Sequence, residues 1–337
     1  MNLLRAARNG DLDAMRQCFE QGYNVSFGDD EHAVALHYVS LFGHHHCIDL
    51  LLERGESVDV RCAYRGTPLH YASRSGRSEC IELLLDRQAD ITAVDFYRAT
   101  PLHYASMNGK HSCIQRLHSK LGIDAIYAEE CISHWESVSE GHARSVALLI
   151  DRQANINACD AHGRTPLHYV AASGRHQCVD RLIAHKANVN AVDGYRNSPL
   201  HLAAMYGRHR CVLLLLDRQA EIDARNNDDT TPLLFASRYS DEELAPEEPP
   251  IEGVQELPMG RSCIEELVAR RADINALDDQ HLSALHHAAT SGVHDRIEQL
   301  IELGADKTIK SVRALPLSHA AALASAMPKH SHTLRSF

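Results

Sequence analysis

Thr67-Pro68-Leu69-His70 returns 33 residues later as Thr100-Pro101-Leu102-His103, and this repetition predicts the fold. Further copies and near copies are Val34-Ala35-Leu36-His37, Thr165-Pro166-Leu167-His168, Ser198-Pro199-Leu200-His201, Thr231-Pro232-Leu233-Leu234, Ser283-Ala284-Leu285-His286 and Leu315-Pro316-Leu317-Ser318. A glycine recurs at nearly the same spacing, at positions 10, 43, 76, 109, 141, 174 and 207. Because self-similarity at a fixed period is typical of stacked repeats, the sequence predicts a solenoid.

Each repeat is predicted to contain two short helices. Thr67 can cap the first helix, Pro68 suits its first turn, and Gly76 ends it. The second helix is predicted from Ser78 to Arg87 and has a wide apolar face. The chain then leaves as an extended arm at residues 90–93. One repeat cannot bury its own apolar face, whereas a stack can.

The Thr-Pro-Leu-His-x-Ala core, the 33-residue period and arms such as Ala272-Asp273-Ile274-Asn275-Ala276 resemble the ankyrin repeat. The resemblance covers residues 1–327 and implies an all-α solenoid of about ten helix-turn-helix units with short extended hairpin arms. It implies an N-terminal cap at about 1–33, a truncated C-terminal cap at about 315–327 and a flexible tail at 328–337. It also implies that the repeated histidines bond backbone groups between repeats.

Two departures from the family pattern have structural consequences. An irregular unit is expected at about 132–164, where the core motif is lost, and Trp135 there could either fill a poorly packed joint or anchor a partner. The family usually has glycine before the Ala-Asp of the arm. Gly304 keeps it, while the other positions carry Gln88, Gln153, Lys186, Gln219 and Arg271. We expect left-handed backbone at all of them.

An insertion at 239–258 interrupts one repeat. It contains seven acidic residues, four prolines and no basic residue, a composition that cannot fold alone. It is either an acidic recognition segment or a tolerated surface insertion. Ser240 precedes Asp241-Glu242-Glu243, an acidic context that predicts phosphorylation.

Composition excludes several classes of protein. The net charge of −11 disfavours nucleic-acid binding, and no apolar run approaches the ~20 residues that cross a bilayer. With no signal peptide in evidence, we expect a cytosolic protein, with the nucleus as the alternative. Most of the ten cysteines recur at one register and are predicted to fill a buried slot in each repeat.

The sequence lacks the motifs of catalysis. Phosphate-binding glycine loops, a nucleophile elbow and kinase signatures are all missing, so we predict no enzyme activity and no cofactor. His44-His45-His46 does not predict a metal site, because consecutive residues do not converge on one ion.

The resulting interpretation is a protein-interaction scaffold, monomeric outside its complex. The alternative is a substrate-recognition subunit of a ubiquitin ligase, although the expected Leu-Cys and Leu-Pro box pattern is lacking near residue 337. The family resemblance also implies hydroxylation of an arm asparagine. Asn275 fits that motif better than Asn190 or Asn157.

The resemblance implies that the tips of the arms and the exposed ends of the first helices line a concave binding face. Tyrosine, methionine and arginine are enriched at interface cores, and several occur at these positions. The predicted partner-binding residues at the tips are Tyr64, Arg65, Phe96, Tyr97, Arg98, Tyr195 and Arg196. Those at the helix ends are Phe42, Arg74, Met107, Asn108, Met205, Tyr206, Arg238 and Tyr239. The basic tips suggest a ligand with some negative charge, although each tyrosine could instead pack on its neighbouring tip.

Overall fold

The computed structural model describes residues 2–107, 135–238, 262–292 and 294–310. Over these ranges the chain is a succession of short helices without a β-strand, apart from one isolated bridge between Gly28 and Val34. The predicted all-helical repeat architecture is therefore confirmed. The acidic insertion at 239–258, the cap at 315–327 and the tail at 328–337 lie outside the described residues.

Eight pairs of helices occur in the described part of the chain. The first helices of the pairs are α1 (Leu3–Asn9), α3 (Ala35–Phe42), α5 (Pro68–Arg74), α7 (Pro101–Ser106), α9 (Pro166–Ser173), α11 (Pro199–Met205), α13 (Pro232–Ala236) and α15 (Ala284–Ser291). The second helices are α2 (Leu12–Glu20), α4 (Ile48–Glu53), α6 (Ser78–Asp86), α8 (Trp135–Asp151), α10 (His176–Ala184), α12 (His209–Asp217), α14 (Cys263–Ala269) and α16 (His294–Glu302).

The helices group into two compact blocks. The N-terminal block comprises Met1–Val170 and Asp180–Ala187, and the C-terminal block comprises Ala171–Val179 and Asn188–Phe337. Helices α9 and α10 each contribute residues to both blocks.

The repeated motif fixes where each first helix begins. Thr67 has extended backbone, and Pro68 occupies the first turn of α5. The Thr67 hydroxyl and backbone N–H both donate to His70 Nδ1, at 2.8 and 3.2 Å. This arrangement resembles a capping box, with histidine in place of the usual glutamate.

The other nitrogen of the histidine joins one repeat to the next. His70 Nε2 donates to the carbonyl of Ala99 at 3.1 Å, and His37 Nε2 donates to that of Gly66 at 3.1 Å. In the C-terminal block, His201 Nε2 donates to Thr230 at 3.0 Å. Nε2 carries a proton, because a carbonyl can only accept a hydrogen bond. Nδ1 carries none, because it accepts the N–H of the residue before the helix, so these histidines are neutral. They bridge the repeats, as the family resemblance implied.

Residues 135–151 of the irregular unit expected at about 132–164 form one helix of 17 residues, α8, that packs against α6 and α7. His142 Nε2 donates to the Arg74 carbonyl at 2.9 Å, and His103 bonds the Arg164 carbonyl, 61 residues further along the chain. Helix α8 therefore fills the second-helix position beside α7.

A local signal accounts for this placement. No Thr-Pro-Leu-His motif starts a first helix near residue 135, whereas Gly141-His142 reproduces the Gly76-Arg77 pair at the start of α6. Helix α8 passes so close to Gly76 that residue 141 has to be glycine, because a Cβ there would lie 2.5 Å from the Gly76 carbonyl oxygen.

The cysteines of the shared register fill buried positions as predicted. Cys47, Cys80, Cys178, Cys211 and Cys263 are all buried. Burial raises the pKa of the Cys47 thiol to about 11 and that of Cys80 to about 12. Both thiols are therefore unreactive at neutral pH.

The residues that replace glycine before the arms have left-handed backbone. The φ angles are 65° at Gln88, 67° at Gln153, 70° at Lys186, 65° at Gln219 and 71° at Arg271. This confirms the expectation from sequence. Residues other than glycine are strained in this conformation.

We predict that Gln88→Gly raises the free energy of unfolding by up to about 1 kcal/mol, because glycine adopts the left-handed conformation without strain. The midpoint of urea denaturation measures the change. Glu82→Gly, in the middle of α6, is the matched control and should destabilise the fold by about 1 kcal/mol. An unchanged or lower midpoint for Gln88→Gly would contradict the prediction.

The histidine bridges predict a dependence of stability on pH. Burial lowers the pKa of His37, His70 and His201 to about 4 in the folded protein. The unfolded chain therefore binds more protons as the pH falls below 6.5, and the unfolding free energy decreases by roughly 1.4 kcal/mol per pH unit for each histidine. Urea denaturation between pH 7 and 5 measures the slope. His70→Gln should reduce this slope, while His45→Gln, at an exposed histidine, should leave it unchanged.

Candidate functional site

The tips of the arms are turns held by an aspartate or asparagine. We number the tips in chain order, with residues 29–33 as the first, 62–66 as the second and 95–99 as the third. In the third tip, Asp95 Oδ1 accepts the backbone N–H groups of Tyr97 and Ala99, both at 2.9 Å. The same pair of bonds is made by Asp29, Asp160, Asp193, Asn226 and Asp278. These carboxylates and the amide give the tips a common shape.

Consecutive tips are joined through the backbone. In the N-terminal block, Ala63 N donates to Glu31 O at 2.7 Å, and Phe96 N donates to Tyr64 O at 2.9 Å. In the C-terminal block, Asn227 N donates to Tyr195 O at 2.9 Å. Neighbouring tips therefore form a row within each block.

The predicted tip arginines have left-handed backbone. The φ angle is 61° at Arg65, 57° at Arg98 and 61° at Arg196. Gly163 occupies the equivalent position of another tip with a φ of 74°. This conformation is unfavourable for arginine and cost-free for glycine, so each arginine tip is locally strained.

The predicted rings of the tips are unequally exposed. Phe96 is 67% exposed and Tyr195 is 62% exposed, whereas Tyr64 and Tyr97 are half-buried. Phe96 and Tyr97 pack edge to face, with centroids 5.4 Å apart. Partial burial raises the pKa of Tyr64, and the nearby Glu31 carboxylate and Tyr97 raise it further. Two exposed rings thus lie in different blocks.

The predicted residues at the ends of the first helices are partly accessible. Phe42, Arg74, Met107, Met205 and Tyr206 are half-buried, and Arg238 is exposed. Asn108 and Tyr239 lie outside the described residues.

Arg74 and Arg238, at the ends of first helices, act electrostatically on residues at or beside the tips. Burial and Asp29 raise the pKa of Glu31 on the first tip, while Arg74 lowers it. Burial and, after it, Arg238 lower the pKa of His287, and His287 Nε2 bonds Asp278 Oδ2, on a tip, at 2.9 Å. We call the tips and the ends of the first helices in each block the tip face.

A row of tyrosines that the sequence analysis missed supports the tips from below. Tyr104 OH donates to Asp95 Oδ2 at 2.6 Å, and its ring packs edge-on against His70 at 5.7 Å. Tyr38 and Tyr169 donate to Asp29 and Asp160 in the same way. The signal was available, because tyrosine follows the repeated histidine at Tyr38, Tyr71, Tyr104 and Tyr169.

The second tip has neither the carboxylate nor the amide that holds the other described tips. Cys62 stands where Asp29, Asp95 and Asp160 stand in their repeats, and its side chain is buried beside Gly66 and Tyr71. A thiol is a weak hydrogen-bond acceptor and cannot replace the two bonds of a carboxylate.

Arginines on the second helices, or directly after their last residue, are paired. Arg152 contacts Asp86 at 2.8 Å, Arg144 contacts Glu79 at 3.3 Å, and Arg270 contacts Asp217 at 2.7 Å. In contrast, the exposed side chains of Arg65, Arg98 and Arg196 have no ion pair or hydrogen bond with any described residue. Charge on the second helices is compensated locally, while charge on the tips is available to a ligand.

The described part of the chain contains no group of three or more residues arranged to hold a metal ion. His44 Nε2 lies 2.9 Å from the Arg8 carbonyl, and His46 Nε2 lies 3.1 Å from that of Gly10. These two histidines of the triplet therefore bond backbone carbonyls. No helix in the described ranges is long and apolar enough to cross a membrane.

The two predicted modification sites differ in what is known of them. Asn275 is exposed on its arm, and its Oδ1 accepts the Asp306 N–H at 2.8 Å. Ser240 lies outside the described residues.

We predict that Cys62→Asp raises the free energy of unfolding by about 1 kcal/mol, because the new carboxylate accepts the N–H groups of Tyr64 and Gly66. Asp95→Cys is the matched reverse change and should destabilise the fold by a similar or larger amount. Thermal denaturation of both variants tests the pair. Equal melting temperatures for the two variants would show that the carboxylate does not hold the tip.

The comparisons with known proteins agree with this geometry. A family model described as ankyrin repeats (3 copies) matches residues 3–95 and 134–226, and one described as ankyrin repeat matches residues 97–128. The crystal structure of the human ASB11 ankyrin repeat domain is similar, with a TM-score of 0.59 and 24% identity over 81% of this chain and 99% of that one. No curated protein matches in sequence. Because the family models match more than half of its residues, the chain belongs to the ankyrin repeat family.

Proposed function

We propose that this chain is a non-catalytic scaffold or adaptor that binds a protein partner on the concave, tip-bearing face of its repeats. Ankyrin repeats are a general protein-protein interaction module. The observation that carries the finer proposal is the presence of exposed, unpaired arginines at strained positions of the tips.

The side chains at the left-handed tip position support a binding role. Gly163 fits this position without strain, whereas His32, Asp229 and His281 occupy it in three tips and Arg65, Arg98 and Arg196 in three others. Strain is therefore common to most tips, and the permanent positive charge distinguishes the arginine tips. A guanidinium that bonds no described residue is suited to contacting another molecule.

The aromatic residues support the same surface. Phe96 and Tyr195 leave most of their rings in water, which is unfavourable unless a partner covers them. Tyrosine and arginine dominate the energetics of many protein interfaces. The alternative, that each tyrosine only packs on its neighbouring tip, applies better to half-buried Tyr64 and Tyr97 than to Tyr195.

The proposed surface has two parts. One comprises the second and third tips in the N-terminal block, and the other comprises the Tyr195-Arg196 tip in the C-terminal block. The tip at residues 161–163 offers Ala161-His162-Gly163 instead of a Tyr-Arg pair. We expect the partner to be a protein rather than a nucleic acid, and the chain to be monomeric outside its complex.

Four further expectations from the sequence stay predictions. A role as a substrate-recognition subunit of a ubiquitin ligase would be supported by co-purification with elongin or cullin. Peptide masses from native material test phosphorylation of Ser240 and hydroxylation of Asn275. Cell fractionation tests the cytosolic or nuclear location.

We predict that replacing Tyr64, Tyr97, Tyr195 and Tyr206 together by alanine abolishes capture of the native partner, with helical content and melting temperature nearly unchanged. Affinity purification followed by mass spectrometry identifies the partner, and circular dichroism checks the fold. Tyr23→Ala, at an exposed tyrosine on the first arm, is the control and should retain capture. Undiminished capture by the quadruple variant would exclude the tip face, and the acidic insertion and Trp135 would then be the next candidates.

A second prediction separates binding from stability. Arg65→Gly with Arg98→Gly should raise the free energy of unfolding, by up to about 1 kcal/mol at each site, because left-handed strain is relieved. The same variant should capture less partner. Urea denaturation and quantitative capture measure the two effects, and a variant that is stabilised yet binds normally would show that the arginines do not contact the partner.

A further inference from the structure

We infer that the second and third tips of the N-terminal block bind an extended acidic segment of the partner, with an apolar or aromatic residue of that segment resting against Phe96. This inference rests on the proposed function and specifies its ligand. It is carried by the charges, exposure and backbone contacts of two neighbouring tips.

The first step concerns charge. Arg65 and Arg98 occupy equivalent positions on neighbouring tips, both exposed and both without a counter-ion among the described residues. The chain as a whole carries a net charge of −11. Two adjacent arginines that make no ion pair with a described residue fit a ligand that supplies carboxylates. Arginine binds a carboxylate with two parallel hydrogen bonds.

The second step concerns shape. The backbone bond from Phe96 N to Tyr64 O fixes the two tips side by side. Neighbouring repeats are spaced by the usual helix-packing distance of about 10 Å. An extended chain in the polyproline II conformation advances about 3.1 Å per residue and has three residues per turn, so side chains three residues apart lie on the same side and match that spacing. The two guanidinium groups can therefore contact acidic residues separated by two others.

The third step concerns the apolar contact. Phe96 lies on the third tip, directly before Tyr97 and Arg98, and is 67% exposed. Its contact with Tyr97 is edge to face and leaves most of the ring accessible. A large apolar side chain of the ligand would cover this ring, whereas a ligand with acidic residues alone would leave it in water.

The fourth step gives the ligand a polarity. The first tip carries Asp30 and Glu31, of opposite sign to the arginines that follow. Ala63 N donates to Glu31 O, so this acidic tip is the immediate neighbour of the Tyr64-Arg65 tip. The acidic residues of the ligand therefore lie over the second and third tips. The part of the ligand over the first tip is neutral or basic, because like charges repel there.

Selection of random 12-residue peptides displayed on phage, with the full-length chain as bait, tests the inference. We expect enriched peptides to combine Asp or Glu with an aromatic or large aliphatic residue. Their Kd, measured by fluorescence polarisation, should weaken by about tenfold or more in Arg65→Glu with Arg98→Glu, since the change replaces attraction by repulsion. Asp30→Lys should lower the Kd of peptides whose charged residues are all acidic, because it removes a negative charge from the first tip.

The control for charge reversal is Arg144→Glu on α8 with Arg152→Glu directly after α8, which changes the same charge on exposed, ion-paired side chains. This variant should bind the selected peptides with a Kd within about twofold of the wild-type value, because electrostatic effects of distant exposed charges are screened. Circular dichroism and the melting temperature show that each variant is folded.

Enrichment of basic or neutral peptides, failure to enrich any peptide, or equal weakening by both charge-reversal pairs would overturn the inference. The proposed function fails separately. If the quadruple tyrosine variant loses the native partner while Arg65→Glu with Arg98→Glu keeps it, the tip face binds a partner but not through an acidic segment. If the quadruple variant keeps the partner, the proposed function itself is wrong.

Discussion

A buried imidazole in several of the repeats connects the elements on which the rest of the structure depends. On one side the histidine accepts hydrogen bonds from the hydroxyl and N–H of the residue that begins its own helix, as His70 does with Thr67. On the other side it donates to a carbonyl at the start of the next repeat, as His70 does with Ala99. In these repeats the start of the first helix and the contact with the next repeat are therefore set by the same buried group. Because a protonated imidazole cannot accept at Nδ1, the connection requires the neutral form.

The tyrosine that follows the histidine transmits this order to the surface. The Tyr104 ring packs on His70 of the preceding repeat, and the Tyr104 hydroxyl donates a hydrogen bond to Asp95, the residue that shapes the tip. Burial and the Asp95 carboxylate raise the pKa of Tyr104 well above its ordinary value, so the hydroxyl remains a donor. A chain of contacts thus runs from the buried histidine to the tip, and a rigid scaffold presents the residues of the proposed interface.

Sequence alone predicted the features that local chemistry determines. The motif specified each helix start, and residues such as Gln88 were correctly expected in left-handed backbone because the family has glycine there. The sequence analysis did not place α8 beside α7, although Gly141 matches Gly76 at the start of α6 and was a signal for that placement. Supporting tyrosines such as Tyr104 follow the repeated histidine, so their place in the motif could have separated them from tip tyrosines such as Tyr195. The exposure of each ring could not be predicted, because it depends on the packing around it.

The central claim is that a partner binds the tip face, while the second helices pack against neighbouring repeats and do not contact the partner. Amide hydrogen exchange of the full-length chain, measured by mass spectrometry with and without the captured partner, tests it most directly. The account predicts slower exchange on binding in peptides that contain residues 63–66, 96–99 and 194–197, with little change in α6 and α12. Protection confined to the second helices, with the tips exchanging as in the free protein, would contradict the account.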